Sequence, residues 1–214
     1  MAYGDCSGEI LPNERQVNCG DSVLQLDDCC EVLMVDEEIM LFEKINKKGR
    51  KNYYYWFFLR ADETVPLVVC ALEQYAESQG NRWQGRRADY LAIGWYGSAC
   101  YIVLIELRHV LLNKKQQDDK LEQLEQSINT VVSTILPDFI NSETFAQACY
   151  PLPPPEQCRI IGIVVPPDRS KSSLNRKKVI KIGQYKGVIT TLPSARLNQC
   201  RISWSELLGT IIEK

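Results

Sequence analysis

The sequence predicts an α/β fold of the α+β kind, in which a central mixed sheet is flanked by helices and carries an N-terminal β-hairpin extension. Three observations lead there. Apolar residues recur at helical spacing over 66–79 and 117–136. Between those stretches runs Ala99–Leu107, so continuously apolar that both faces of the strand must be covered. Near the N-terminus, two runs rich in aromatic and β-branched residues, Glu38–Ile45 and Tyr53–Leu59, flank the basic, turn-forming segment Asn46–Lys51.

Taken in order, residues 1–30 read as loops with one short strand around Val23–Leu26, followed by the hairpin. Pro66 suits a first helical turn and Gly80 a helix end, and Val68, Ala71, Leu72, Tyr75 and Ala76 form one stripe, so a helix is expected over 66–79. Tyr90–Gly94 and Ala99–Leu107 are then strands joined by Gly97-Ser98. The long helix of 117–136, with Leu121, Leu124, Ile128, Val131, Val132 and Ile135 on its stripe, is expected to stop at Pro137. Past the Pro-rich segment 151–155 come a buried-type strand, Arg159–Val165, and another at Gly187–Leu192. Ser203-Trp204-Ser205-Glu206 is a capping-box pattern, which starts a last helix near 204. We divide the chain into an acidic segment plus hairpin, 1–65, and a core, 66–214.

Composition excludes several classes. A chain of 214 residues that is 45% hydrophobic and 24% charged buries a core and is not disordered. The longest apolar run, Ala99–Ile105, falls far short of the roughly twenty residues that span a bilayer, so no membrane partner is expected. The first residues show no basic stretch leading into an apolar one, so export by a signal peptide is not expected. The cysteine count is nine, an odd number; with no mark of export we expect reduced thiols and a cytoplasmic protein. No CxxC pair occurs and His109 is the only histidine, which argues against a structural zinc site. Neither GxGxxG nor GxxxxGKS/T follows a strand, which argues against Rossmann and P-loop enzymes.

Chemistry concentrates at the middle hairpin. Gly at the first central position suits a type II′ turn, and a turn at Gly97-Ser98 sets Tyr96 opposite Ala99 and Asp89 opposite Glu106. Two carboxylates then share one face of adjacent strands, about 5 Å apart at Cβ. Like charges so placed destabilise a sheet, and Glu106 follows seven apolar residues. A divalent cation resolves both problems, and hard oxygen donors suit Mg²⁺ or Mn²⁺. Arg108, two residues on, shares the face and adds a phosphate-binding cation. The alternative is structural, with Asp89 paired to Arg86 or Arg87 and Glu106 to Arg108 or Lys114.

With its helix, its strand bearing Asp89, its strand bearing Ile105-Glu106-Leu107-Arg108, its second helix and the strand 159–165, the stretch 66–166 resembles the PD-(D/E)xK, or restriction-endonuclease-like, nuclease superfamily. The resemblance implies an αβββαβ core, of which one strand has no counterpart in the sequence reading. It implies Asp89 and Glu106 as metal-binding acids, Glu73 or Glu77 as the additional acid, and a nuclease that uses Mg²⁺ or Mn²⁺. The motif's lysine is replaced by Arg108, which stays protonated and cannot act as a base. The family's helix motif, Gln followed four residues later by Tyr, reads Gln123 and Ser127 here.

Charge distribution bears on partners. Met1–Glu38 holds ten Asp or Glu against Arg15 alone, a net −9, leaving +7 for the remainder. Such a segment is a solvated face, a protein-interaction surface or a phosphate mimic over a basic groove. Arg169–Lys186 holds seven Lys or Arg and no acid and reads as a long loop; Arg176, Lys177 and Lys178 are its densest part. Lys47, Lys48, Arg50 and Lys51 lead into Tyr53–Phe58, whose alternate aromatics can stack bases. Both clusters are also readable as solvated turns. The sequence thus points to a metal-dependent nuclease acting on nucleic acid, with a catalytically inactive module of the same fold, binding nucleic acid or a protein, as the alternative.

Overall fold

The computed structural model describes residues 6–17, 19, 26–45, 52–78, 87–108, 114–141, 143–147, 153–165, 177–192 and 197–212. In chain order the elements are β1 (Ser7–Gly8), β2 (Cys30–Leu33), β3 (Glu38–Ile45), β4 (Tyr53–Arg60), β5 (Leu67–Cys70), α1 (Leu72–Ser78), β6 (Tyr90–Tyr96), β7 (Ala99–Leu107), α2 (Lys114–Thr130), α3 (Leu136–Phe139), α4 (Glu143–Gln147), β8 (Cys158–Val165), β9 (Lys178–Ile182), β10 (Tyr185–Thr191), β11 (Arg201–Ser203) and α5 (Trp204–Ile212).

The fold is mixed α/β. Its main sheet has seven strands in the order β2-β5-β6-β7-β8-β10-β9. Neighbours from β2 to β7 are antiparallel, β7, β8 and β10 are parallel, and β9 closes one edge antiparallel. Parallel neighbours need a crossover, and α2 supplies it between β7 and β8. Strand pleating then sorts the core. Val68, Leu91, Ile102, Leu104 and Ile160 face a layer containing Leu124, Ile128 and Val131 of the α2 region. Val69, Ala92, Val103, Ile105 and Ile161 face the opposite layer, where Phe57, Leu59, Trp204 and Leu208 pack.

That second layer is a four-stranded sheet in which β4 pairs with β1, β3 and β11. The expected hairpin forms, pairing Glu38 with Arg60 and Ile45 with Tyr53. The division at residue 65 does not follow the sheets: β2 joins the main sheet, and β11 from the C-terminal region joins the extension's sheet. α5 starts as its capping box requires, with the Ser203 N–H donating to the Glu206 carboxylate at 3.0 Å and the Glu206 N–H donating to Ser203 Oγ at 3.3 Å.

Four expectations are corrected. Residues 66–79 do not form one helix: Leu67–Cys70 are buried on both faces as β5, and the helix begins at Leu72. An unbroken run of Leu, Val, Val and Cys satisfies a helical stripe and a doubly covered strand alike, and the open edges of β2 and β6 decide between them. The long helix does not stop at Pro137. It passes through a π-helical turn, Val131–Ile135, into α3, which contains Pro137. The basic stretch 169–186 is not simply a loop, since Lys178–Ile182 and Tyr185–Thr191 pair as a hairpin. Finally, the thiols are not all reduced. Cys6–Cys200, Cys19–Cys29 and Cys30–Cys70 are disulfides, while Cys100 and Cys158 are free and buried. Cys149 lies outside the described residues. Disulfides persist in oxidising compartments, so the redox argument for the cytoplasm falls. Among the described residues no helix is long and apolar enough to cross a membrane.

Candidate active site

The site forms where several element ends meet at one edge of the main sheet. β5 runs antiparallel to β6, so its C-terminal end and the start of α1 lie beside the start of β6. β6 runs antiparallel to β7, which brings the end of β7 to the same edge. The turn has the predicted register from Tyr96–Ala99 to Tyr90–Ile105, but the ladder ends there: Asp89 precedes β6 and does not form the expected ladder pair with Glu106. Gly97 takes φ +59° and Ser98 does not share a positive φ, the sign pattern of a type II′ turn.

Asp89 and Glu106 line one cleft of about 430 Å³, together with Glu43, Glu73, Glu77, Arg87, Arg108 and Gln123. Backbone contacts hold the edge in place. The Glu73 N–H donates to the Asp89 carbonyl at 3.1 Å, the Asp89 N–H to the Ile105 carbonyl at 3.0 Å and the Arg108 N–H to the Val165 carbonyl at 3.0 Å. The Asp89 carboxylate accepts from the Leu107 N–H, so one acid is tied to the residue next to the other.

Glu106 is fully buried. Its Oε1 takes an ion pair from Arg108, one from Lys120 at 3.2 Å and a hydrogen bond from Gln123 Nε2 at 3.3 Å. Its Oε2 is buried with no hydrogen-bond partner, an arrangement that ordinarily costs about 1–3 kcal/mol or more for a charged group. Arg108 also reaches Glu43, 3.6 Å away. Asp89 is strongly perturbed: burial, then the charge of Glu73, pushes its carboxyl up to about 8. Glu73 is likewise raised, by burial and then by Glu77. Acids held so far from their ordinary range mark a place where negative charge is unrelieved.

Lys120 and Gln123 were not singled out as site residues by sequence reasoning, although they carried a signal. They share one side of α2 with Ser127, at spacings of three and four, beside the stripe of Leu124 and Ile128. Gln123 Nε2 also donates to the Arg87 carbonyl at 2.9 Å, and the buried Ser127 Oγ accepts from the Ala88 N–H at 2.9 Å. Gln123 and Ser127 thus fasten α2 to the residues leading into Asp89.

Other predicted residues are placed elsewhere. Lys47, Lys48, Arg50, Lys51, Arg86, His109 and Arg176 lie outside the described residues, as does the side chain of Lys114. Lys178 Nζ pairs with Glu125 at 2.6 Å, and Lys177 Nζ donates to the Ile211 carbonyl at 3.3 Å. Of the aromatic run, Tyr55 and Phe57 belong to the core, while Tyr54 and Trp56 are half-buried. In the acidic segment, Arg15 bridges Glu31 and Glu37 and Arg201 pairs with Glu38, so part of that charge is compensated within the chain.

Among the described residues no group of three or more His, Cys, Asp or Glu is gathered closely enough to hold a metal ion. A magnesium ion needs fewer, since one or two carboxylates suffice and waters and phosphate oxygens fill the other positions. No family model, curated protein or solved structure matches the chain.

Proposed function

We propose that the chain is a metal-dependent nuclease with a restriction-endonuclease-like core, acting on phosphodiester bonds of nucleic acid. One observation carries the reading: an acid at the end of β7 and an acid just before β6 line one cleft, the first with a buried, unpartnered oxygen at Glu106 Oε2 and the second with a carboxyl raised to about 8 at Asp89. A hard divalent cation supplies what both lack, and these residues fit it as oxygen donors. Bound there, Mg²⁺ or Mn²⁺ would polarise a phosphodiester and lower the pKa of a water.

The chain's own residues fill the remaining roles. Glu106 and Asp89 are the ligands, with Glu73 behind them as a third acid. Arg108 stabilises charge that develops on phosphate oxygens, as a fixed cation can without transferring a proton. Lys120 brings from α2 the ammonium point charge that the strand motif lacks. The antiparallel strands β5, β6 and β7, followed by the crossover helix α2 and the parallel strand β8, favour this core, whereas α1 departs from the αβββαβ order by following the first strand and not preceding it.

A specific observation favours the second reading, an inactive module that binds nucleic acid or protein. Glu106 is already ion-paired with Arg108 and Lys120, so the protein compensates its charge without a metal. Incubation with single- and double-stranded DNA and RNA in Mg²⁺ or Mn²⁺, with a chelator control, separates the two. The nuclease reading expects cleavage that stops with chelator and falls about 100-fold or more in Asp89→Asn. Binding without cleavage of any of them leaves the module.

A further inference from the structure

The extension contributes a residue to the cleft that no part of the core motif explains. Arg108 sits between two carboxylates, its Nη2 on Glu106 and its Nη1 3.6 Å from Glu43 Oε1. Its Nε is buried without a hydrogen-bond partner, so the guanidinium is held through its two outer nitrogens. Glu43 is fixed by the strand that bears it. The preceding residue, Phe42, is clasped by Tyr90, whose hydroxyl accepts from the Phe42 N–H and donates to the Phe42 carbonyl, each at 3.0 Å. Tyr90 follows Asp89 directly in sequence. The second sheet is therefore pinned to the main sheet one residue from Glu43 on one side and one residue from Asp89 on the other.

We infer that Glu43 is a positioning residue: it offers the Arg108 guanidinium a second carboxylate, so that Arg108 can give up Glu106 to a divalent cation. This rests on the metal reading above. An arginine and a metal ion compete for the same carboxylate, and each repels the other. An arginine with a single acceptor stays on it; one with a second carboxylate within 4 Å can yield the first at little loss. Glu43 is that second acceptor, and its side chain is only 16% exposed, where screening by solvent is reduced. On this view the β3–β4 hairpin is part of the metal site, although no residue of it is a ligand.

The test is a double-mutant cycle read by calorimetric titration of Mn²⁺ into the full-length protein, with thermal melting to verify folding of each variant. With Arg108 present, Glu43→Gln should weaken Mn²⁺ binding by about fivefold or more, because Arg108 then has no second carboxylate to move to and stays on Glu106. In an Arg108→Gln background the same change should have little effect, under about twofold. Equal losses in both backgrounds would show that Glu43 acts only through its own charge, and no loss in either would show that it does nothing; both overturn the inference while leaving the metal site standing. A wild-type protein that binds no Mn²⁺ overturns the inference and the metal reading together.

Discussion

Arg108 reaches back two residues along its own strand to ion-pair with Glu106, whose carboxylate is entirely removed from solvent. Two acids on one face suggest that removing a charge would relieve repulsion, but the structure reverses that sign. Glu106→Gln leaves Arg108 and Lys120 facing a neutral amide, so the metal-free protein should lose about 1–3 kcal/mol in denaturant titration. Metal-dependent cleavage should fall about 100-fold or more in the same variant. A melting temperature that rises instead would mean that burying the Glu106 charge costs more than its two cations return.

Stability should also depend on pH through Asp89. Its folded carboxyl is raised to about 8 by burial and the charge of Glu73, whereas an unfolded aspartate titrates near about 3.9. The folded state holds a proton that the unfolded chain releases, so metal-free stability should fall as pH rises through that interval and level off above it. Asp89→Asn should flatten the profile. Saturating Mn²⁺, which prefers the ionised acid, should stabilise increasingly with pH; melting curves from pH 4.5 to 8.5 with and without Mn²⁺ measure both effects.

Nucleic-acid binding, if it runs through the basic stretch before β10, should be strongly salt dependent. Replacing Arg176, Lys177 and Lys178 together by Gln should lower the slope of log affinity against log salt by up to about 2–3, at roughly 0.9 per phosphate neutralised. The pair Lys178–Glu125 makes a smaller change at that position readable. An unchanged slope assigns the stretch to a solvated face.

The disulfides make a prediction independent of chemistry at the cleft. Cys6→Ser with Cys200→Ser opens a bridge spanning 194 residues and should cost about 2–5 kcal/mol, since long closed loops restrict the unfolded chain most. Peptide mapping under non-reducing conditions should recover the three pairs and leave Cys100 and Cys158 alkylated only after unfolding.

The elements that sequence made legible share one property: a single local rule decided them. Gly97-Ser98 determined the register of β6 and β7, Ser203 and Glu206 the start of α5, and the turn-forming Asn46–Lys51 between two strand-like runs the hairpin. What stayed hidden depended on distant partners. Leu67–Cys70 is a strand only because β2 and β6 flank it. The site followed the same division. Asp89 and Glu106 emerge from one turn, whereas Lys120 arrives on a helix and Glu43 on a different sheet. The disulfides were the plainest misreading: Cys30 and Cys70 face each other across β2 and β5, a pairing that spacing alone does not reveal.

The bond between Cys6 and Cys200 makes most of the chain a covalent ring. A load applied outside that ring passes from one sulfur to the other and never reaches the seven strands inside. Stretching would peel away β11 and α5, residues 201–212, drawing that segment out to about 40 Å, and then stall. Further extension would wait on a thiol reductant, so a chemical signal and not force would decide whether the cleft survives.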